Sequence, residues 1–192
     1  MINVANILKK SHCNGHGTRY VIWVQGCNSR CIGCFNPEYQ EIKTKTLMSI
    51  DTLAADILNT PEISGVTFSG GEPFLQAKEL YQLARILRQN GLTVLVFTGL
   101  SEKYLEVIDD PHVSNLIENS DMIIAGEYDS EKPSNIPMIG STNQTVMNLT
   151  GRLPDPKDDK IPRVEILCNG DTVTLSGFPT EKERAEFGKE FL

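Results

Sequence analysis

Three cysteines, at positions 27, 31 and 34, share one short stretch directly after the apolar run Tyr20-Val21-Ile22-Trp23-Val24. The spacing C-x3-C-x2-C gathers three thiolates around one centre and offers no fourth within the loop. A tetrahedral structural zinc site normally takes four protein ligands, whereas a cubane of four irons can leave one iron open for chemistry. A zinc knuckle completed by His12, Cys13 or His16 is the competing reading, although zinc pairs usually come as C-x2-C twice. A second group of interest is Gly70-Gly71-Glu72-Pro73, which ends the apolar run Gly65-Val66-Thr67-Phe68. Glycines let the backbone take φ > 0 and approach a ligand closely. Main-chain carbonyls at such a strand end suit a ligand ammonium group, and Glu72 adds negative charge beside them.

These groups need elements to position them. Arg19 to Val24 reads as a strand and the cysteine loop follows it, closed by Asn36-Pro37. Ser49 opens a helix in which Ile50, Leu53, Ala54, Ile57 and Leu58 share one face. A second helix runs from about Gln76 to Gln89, with Gly91 as its stop. Leu92 to Phe97 and Asp121 to Ala125 are further apolar strands, with shorter helical pieces from Lys103 to Ile108 and His112 to Asn119 between them. Strands apolar throughout, alternating with amphipathic helices, imply a parallel sheet with helices on its faces. Functional loops in such folds lie at the C-terminal strand ends. The cysteine loop, the Gly-Gly-Glu-Pro loop, Thr98-Gly99 and Gly126-Glu127-Tyr128 all follow strands, so four loops converge on one edge.

Residues 1–19 show little periodicity. From 126 to 160 the pattern dissolves into Pro, Ser, Asn, Asp and Gly, and a structureless run of that length is usually functional or mobile. It is expected to be an irregular lid or docking loop, with Asn143 and Gln144 reaching a cosubstrate or a partner's backbone. Arg163 to Cys168 and Thr172 to Ser176 flank Asn169-Gly170-Asp171, a hairpin signal. Thr180 with Glu183 makes a capping box for a last helix carrying Phe187 and Phe191. The expected fold is α/β: a partial (β/α) barrel with an open curved parallel sheet, plus a C-terminal β-hairpin and helix. Residues 1–160 form its core domain and 161–192 an extension.

The formal net charge of −7 argues against a nucleic-acid or anionic-membrane partner. Five cysteines, three of them clustered, suggest an intracellular metal site rather than a disulfide framework. No signal pattern and no apolar run near the ~20 residues that span a bilayer is present, so a cytoplasmic setting is expected.

The sequence resembles the radical S-adenosylmethionine superfamily, and within it the activating enzymes of anaerobic ribonucleotide reductase. The resemblance lies in Trp23-Val24-Gln25-Gly26-Cys27, Cys31-Ile32-Gly33-Cys34-Phe35-Asn36-Pro37-Glu38, Ser69-Gly70-Gly71-Glu72-Pro73, Phe97-Thr98-Gly99 and Gly140-Ser141-Thr142-Asn143-Gln144. It implies that Cys27, Cys31 and Cys34 hold three irons of a [4Fe-4S] cluster, whose fourth iron chelates S-adenosylmethionine. It implies reductive cleavage of that cosubstrate to a 5′-deoxyadenosyl radical, with Gly33, Phe35, Asn36, Gly70, Gly71, Glu72, Thr98 and Asn143 around it. The implied partners are a glycyl radical enzyme as protein substrate and a flavodoxin- or ferredoxin-type electron donor. Direct modification of a peptide or small molecule is the first alternative; a non-catalytic iron–sulfur or zinc-binding protein is the second. The hairpin and helix beyond residue 160 exceed the compact reductase activases, which leaves the substrate open. Cys13 and Cys168 read as small apolar residues, with a hydrogen-atom donor or extra ligand as the minority reading, and His12, His16 and His112 are assigned no role.

Overall fold

The computed structural model describes residues 1–158, 160–169, 172–180, 182, 183 and 185–187. The chain begins with a long strand β1 (Ile2–Ser11) that returns, after a glycine-bearing turn, as β2 (Arg19–Val24). The cysteine loop leads to a short β3 (Thr46–Met48) and helix α1 (Ile50–Leu58). Then come β4 (Gly65–Gly70), α2 (Ala77–Gln89), β5 (Thr93–Thr98), α3 (Glu102–Val107), α4 (Pro111–Glu118) and β6 (Met122–Ala125). Strand β7 (Thr145–Asn148) and a hairpin of β8 (Val164–Asn169) and β9 (Thr172–Gly177) complete the named elements.

The main sheet has the order β3-β1-β2-β4-β5-β6-β7. Its centre, β2-β4-β5-β6, is parallel; β1, β3 and β7 are antiparallel to their neighbours. The expectation of a parallel sheet holds for the centre and is corrected at both flanks, and what forms is an open mixed sheet rather than a demonstrated barrel. β1 shows no periodicity in sequence because register shifts between Val4 and Asn6 and between Leu8 and Ser11 break its two-residue alternation. β7 lacks a continuous apolar run because half its residues are exposed and polar, as an edge strand permits.

The sheet has two different faces. Tyr20, Ile22, Val66, Phe68, Val94, Val96 and Ile123 meet the helices in the larger core. The helices are held by local chemistry: Ser49 and Ser101 accept from the Thr52 and Tyr104 amides, and Asp110 accepts from His112 just before Pro111. The opposite, inner face carries Val21 and Trp23 against Tyr39, and Leu95, Met122 and Ile124 against Met138, Leu153 and Ile161. Segment 126–160, expected as irregular, therefore contains a strand and supplies core to the inner face. Asp121, fully buried, anchors it by accepting from the Thr150 hydroxyl (2.7 Å) and the Val94 amide (2.8 Å) and pairing with Arg152 (3.3 Å).

The β8–β9 hairpin forms as expected, although Gly170 and Asp171 of its turn lie outside the described residues. The Thr180–Glu183 box also forms, with the Thr180 amide donating to the carboxylate (2.6 Å) and the Glu183 amide to the hydroxyl (3.2 Å). Phe191, expected on the last helix, lies outside the described residues. No helix among those residues is long and apolar enough to cross a membrane.

Candidate active site

The cysteine loop is fixed before it reaches its first thiol. The Gly26 amide donates to Tyr39 O (2.8 Å), Cys27 N to Gln40 O (3.0 Å), and Arg30 reaches back to Cys27 O (2.7 Å). On the other side Gly71 N donates to Val24 O and Glu72 N to Gly26 O, each at 2.8 Å, which ties the β4 loop to the β2 loop. These contacts explain the glycines. A Cβ on Gly71 would strike Gly26 O, and one on Gly70 would lie 2.5 Å from the Val24 amide nitrogen. The pair thus allows two protein loops to touch, in addition to whatever approach it allows a ligand.

Glu72 is 1% exposed, and its carboxylate accepts from Phe74 N (3.0 Å), Thr98 Oγ1 (2.8 Å) and Gly99 N (2.9 Å). Burial raises its pKa, opposed by those three donors. The side chain therefore joins the β4 loop to the end of β5. Thr98 is held in the same network, its hydroxyl accepting from Leu100 N (3.0 Å).

Cys27, Cys31, Cys34, Phe35, Asn36, Gly70, Gly71 and Thr98 line one cavity of about 710 Å³. The loops after β2, β4, β5 and β6 all reach it, as their common position after strands requires. Gly33, Glu72 and Asn143 stand outside its lining. Gly33 has φ of 74° beside Ser130 and Tyr128, and Asn143 donates to Glu127 O (2.8 Å) at a second recess shared with Ser29, Gly99 and Tyr104. Gln144 lines the cavity but spends its amide on the protein: Oε1 accepts from Gly140 N (2.9 Å) and Ser141 N (3.2 Å), and Nε2 donates to Gly126 O (3.0 Å). Phe35 packs on Tyr128 (centroids 4.6 Å apart) and Phe178 (5.7 Å). Tyr128 stands in one of the four strand-end loops singled out by the sequence, whereas Phe178, an isolated aromatic after a hairpin strand, shows no spacing that marks it.

Burial pushes the Cys27 thiol up to about 11, with Glu72 and the other two thiols adding to it, and burial also raises Cys31. Such a group favours its thiolate only beside a positive centre. The donor set fits an iron–sulfur cluster on those grounds: three soft thiols border one cavity, and the Asn36 amide donates to Cys34 Sγ (3.4 Å). Among the described residues no three His, Cys, Asp or Glu side chains gather closely enough for a single metal ion. Three thiolates bound to three different irons stand farther apart than ligands of one ion. Cys13 and His16 precede β2, whereas Cys27 follows it; six residues of strand separate the two groups by roughly 20 Å. Neither can complete a zinc site with the trio. Cys13 is fully buried with its thiol pushed up to about 12, mainly by burial, and donates to Glu165 Oε1 (3.1 Å); Cys168 is exposed.

The family described as a 4Fe-4S single cluster domain matches residues 13–147. Pyruvate formate-lyase-activating enzymes of Staphylococcus epidermidis and Staphylococcus aureus are each 29% identical over 150 residues, covering 75% of this chain and 60% of theirs. The chain thus spans about three fifths of the length of these relatives. Among solved structures, QueE from Escherichia coli aligns with a TM-score of 0.41 at 20% identity, over 65% of this chain and 68% of that one. The three cysteines border a cavity shared by the four strand-end loops, and the matching family spans both. The chain belongs to the 4Fe-4S single cluster domain family, within the radical S-adenosylmethionine superfamily and with similarity to glycyl-radical activases.

Proposed function

We propose that this protein is a radical S-adenosylmethionine enzyme that activates a partner enzyme by forming a glycyl radical on it. The observation that carries the reading is the common cavity of Cys27, Cys31 and Cys34 with Gly70, Gly71 and Thr98. When bound, a [4Fe-4S] cluster with its cosubstrate supplies reductive cleavage of a sulfonium C–S bond and a 5′-deoxyadenosyl radical. In this reading the three cysteines are the ligands, and the Asn36 amide orients Cys34. Gly70 and Gly71 offer main chain to the cosubstrate's amino group. Glu72 acts as a positioning residue, holding Thr98-Gly99 at the cavity wall, and Phe35 supplies an aromatic edge. Gly33 and Asn143 flank this contact set. Residues 1–160 then form the cofactor-bearing core and 161–192 an extension, in a cytoplasmic protein served by a flavodoxin- or ferredoxin-type donor.

Similarity to activating enzymes supports the choice of a protein substrate. The test is electron paramagnetic resonance on anaerobically reconstituted protein, given reductant, S-adenosylmethionine and each co-purifying protein in turn. A stable glycyl radical on one of them is expected. A closed-shell product with every candidate would replace the activase reading with direct modification of a peptide or small molecule.

A further inference from the structure

The cleft that begins at the cysteines continues beneath the C-terminal hairpin, and two strand edges border it. Asn6, Ile7 and Leu8 of β1 all line it. Ile7 packs toward the helix-side core and Leu8 toward the inner face, so the edge of β1 meets the cleft beside the inner face that carries Trp23. Every residue from Val173 to Pro179 lines it as well, with Leu167 of β8. Successive residues of a strand point to opposite faces, so here too an edge is presented, that of β9. The ladder between β1 and β3 stops at Val4, and β9 pairs with β8 alone. Among the described residues, therefore, neither edge has a strand against it. One outward amide, that of Ile7, is covered by its neighbour Asn6 through the side-chain oxygen (2.9 Å), a local cap that an incoming strand can replace.

The hairpin is held in place at its base. Glu165 accepts from Ser11 Oγ (2.5 Å) and His12 N (3.0 Å), and Ser176 accepts from Asn14 Nδ2 (2.8 Å). Those contacts tie the base of the hairpin to the end of β1 and the loop after it. Of the described residues lining the cleft, Glu38 is the one charged side chain. A wall without cations does not attract a phosphorylated or otherwise anionic ligand, whereas unpaired strand edges recognise main chain irrespective of sequence.

We propose that the edges of β1 and β9 receive an extended segment of a partner polypeptide as an added strand, leading its backbone to the cysteine end of the cleft. This rests on the reading of the site as one that acts on a protein, and specifies how that protein is held. The chain's single tryptophan, Trp23, lines the same cleft and reports on it. The experiment uses the full reconstituted protein and an acetylated, amidated nonapeptide, Thr-Val-Ser-Val-Gly-Val-Ser-Val-Thr, beside a version N-methylated at alternate residues. Hydrogen–deuterium exchange over 5–10 and 173–177 is expected to slow in both segments together, with a change in tryptophan emission. N-methylation is expected to weaken binding at least about tenfold by removing main-chain donors. No protection at saturating peptide, protection of one segment only, or equal binding of the methylated peptide would overturn the proposal. Release of 5′-deoxyadenosine without peptide, measured on the same sample, separates failure of this docking mode from failure of the radical-enzyme reading. Glu165→Ala, which unpins the hairpin, is expected to weaken peptide binding and to leave that release within about twofold.

Discussion

Among the described residues Glu72 has three hydrogen-bond donors and no ion-pair partner, so its contribution is to architecture as much as to charge. Glu72→Ala strands two amides and a hydroxyl in the interior, at about 1–3 kcal/mol for each buried group left unsatisfied. A stability loss of at least about 2 kcal/mol in urea unfolding is expected. Release of 5′-deoxyadenosine should fall about 10–100-fold, as for other groups that orient a metal site at one remove. The thiols divide by position. Cys13→Ala and Cys168→Ala should leave cleavage largely intact, since neither lines the cavity that holds the trio. Asp56 offers a pH test away from the site. Its carboxyl lies below its ordinary 3.8 because the Lys9 ammonium, and then the Tyr20 hydroxyl, bond to it. An acid depressed by folding stabilises the folded state above its unfolded value, and that contribution is lost as pH falls through the depressed one. Asp56→Asn should therefore lower the urea midpoint near neutrality and converge with the wild type on the acid side of about pH 4.

At the scale of elements, the β2 and β4 loops touch through glycine, and a side chain there moves the cysteines. Gly71→Ala places a methyl group against Gly26 O. The expected outcome is a folded protein with native far-ultraviolet circular dichroism and reduced iron incorporation after reconstitution. The central strands and their helices were legible because burial on both faces writes continuous apolar runs, and because Ser49, Asp110-Pro111 and Gly91 mark helix ends. The cysteine loop was legible from spacing alone. β1 was not, since its bulges break alternation, and neither were the partners of Gln144 and Asn143. An amide side chain in a polar loop looks the same whether it faces a ligand or, as here, bonds to Gly126, Gly140 and Glu127.

Across the whole molecule, the inner face of the sheet is shared between chemistry and core. Its β5–β6 side is filled by Met138, Leu153 and Ile161, and its β1–β2 side opens onto the cleft. Segment 126–160 is thus part of the core that keeps β5 and β6 in place. Leu153→Ala is expected to cost about 2–5 kcal/mol, the range for a large-to-small change in a packed interior, whereas a detached lid would lose almost nothing. The proposed chemistry needs three thiols acting together at one end of that cleft. Its most direct test is 5′-deoxyadenosine release on reduction, in anaerobically reconstituted wild type and in Cys27→Ala, Cys31→Ala and Cys34→Ala. Release by the wild type and none by the three variants is predicted. No release by iron-loaded wild type, or full release retained by any of the three, would contradict it.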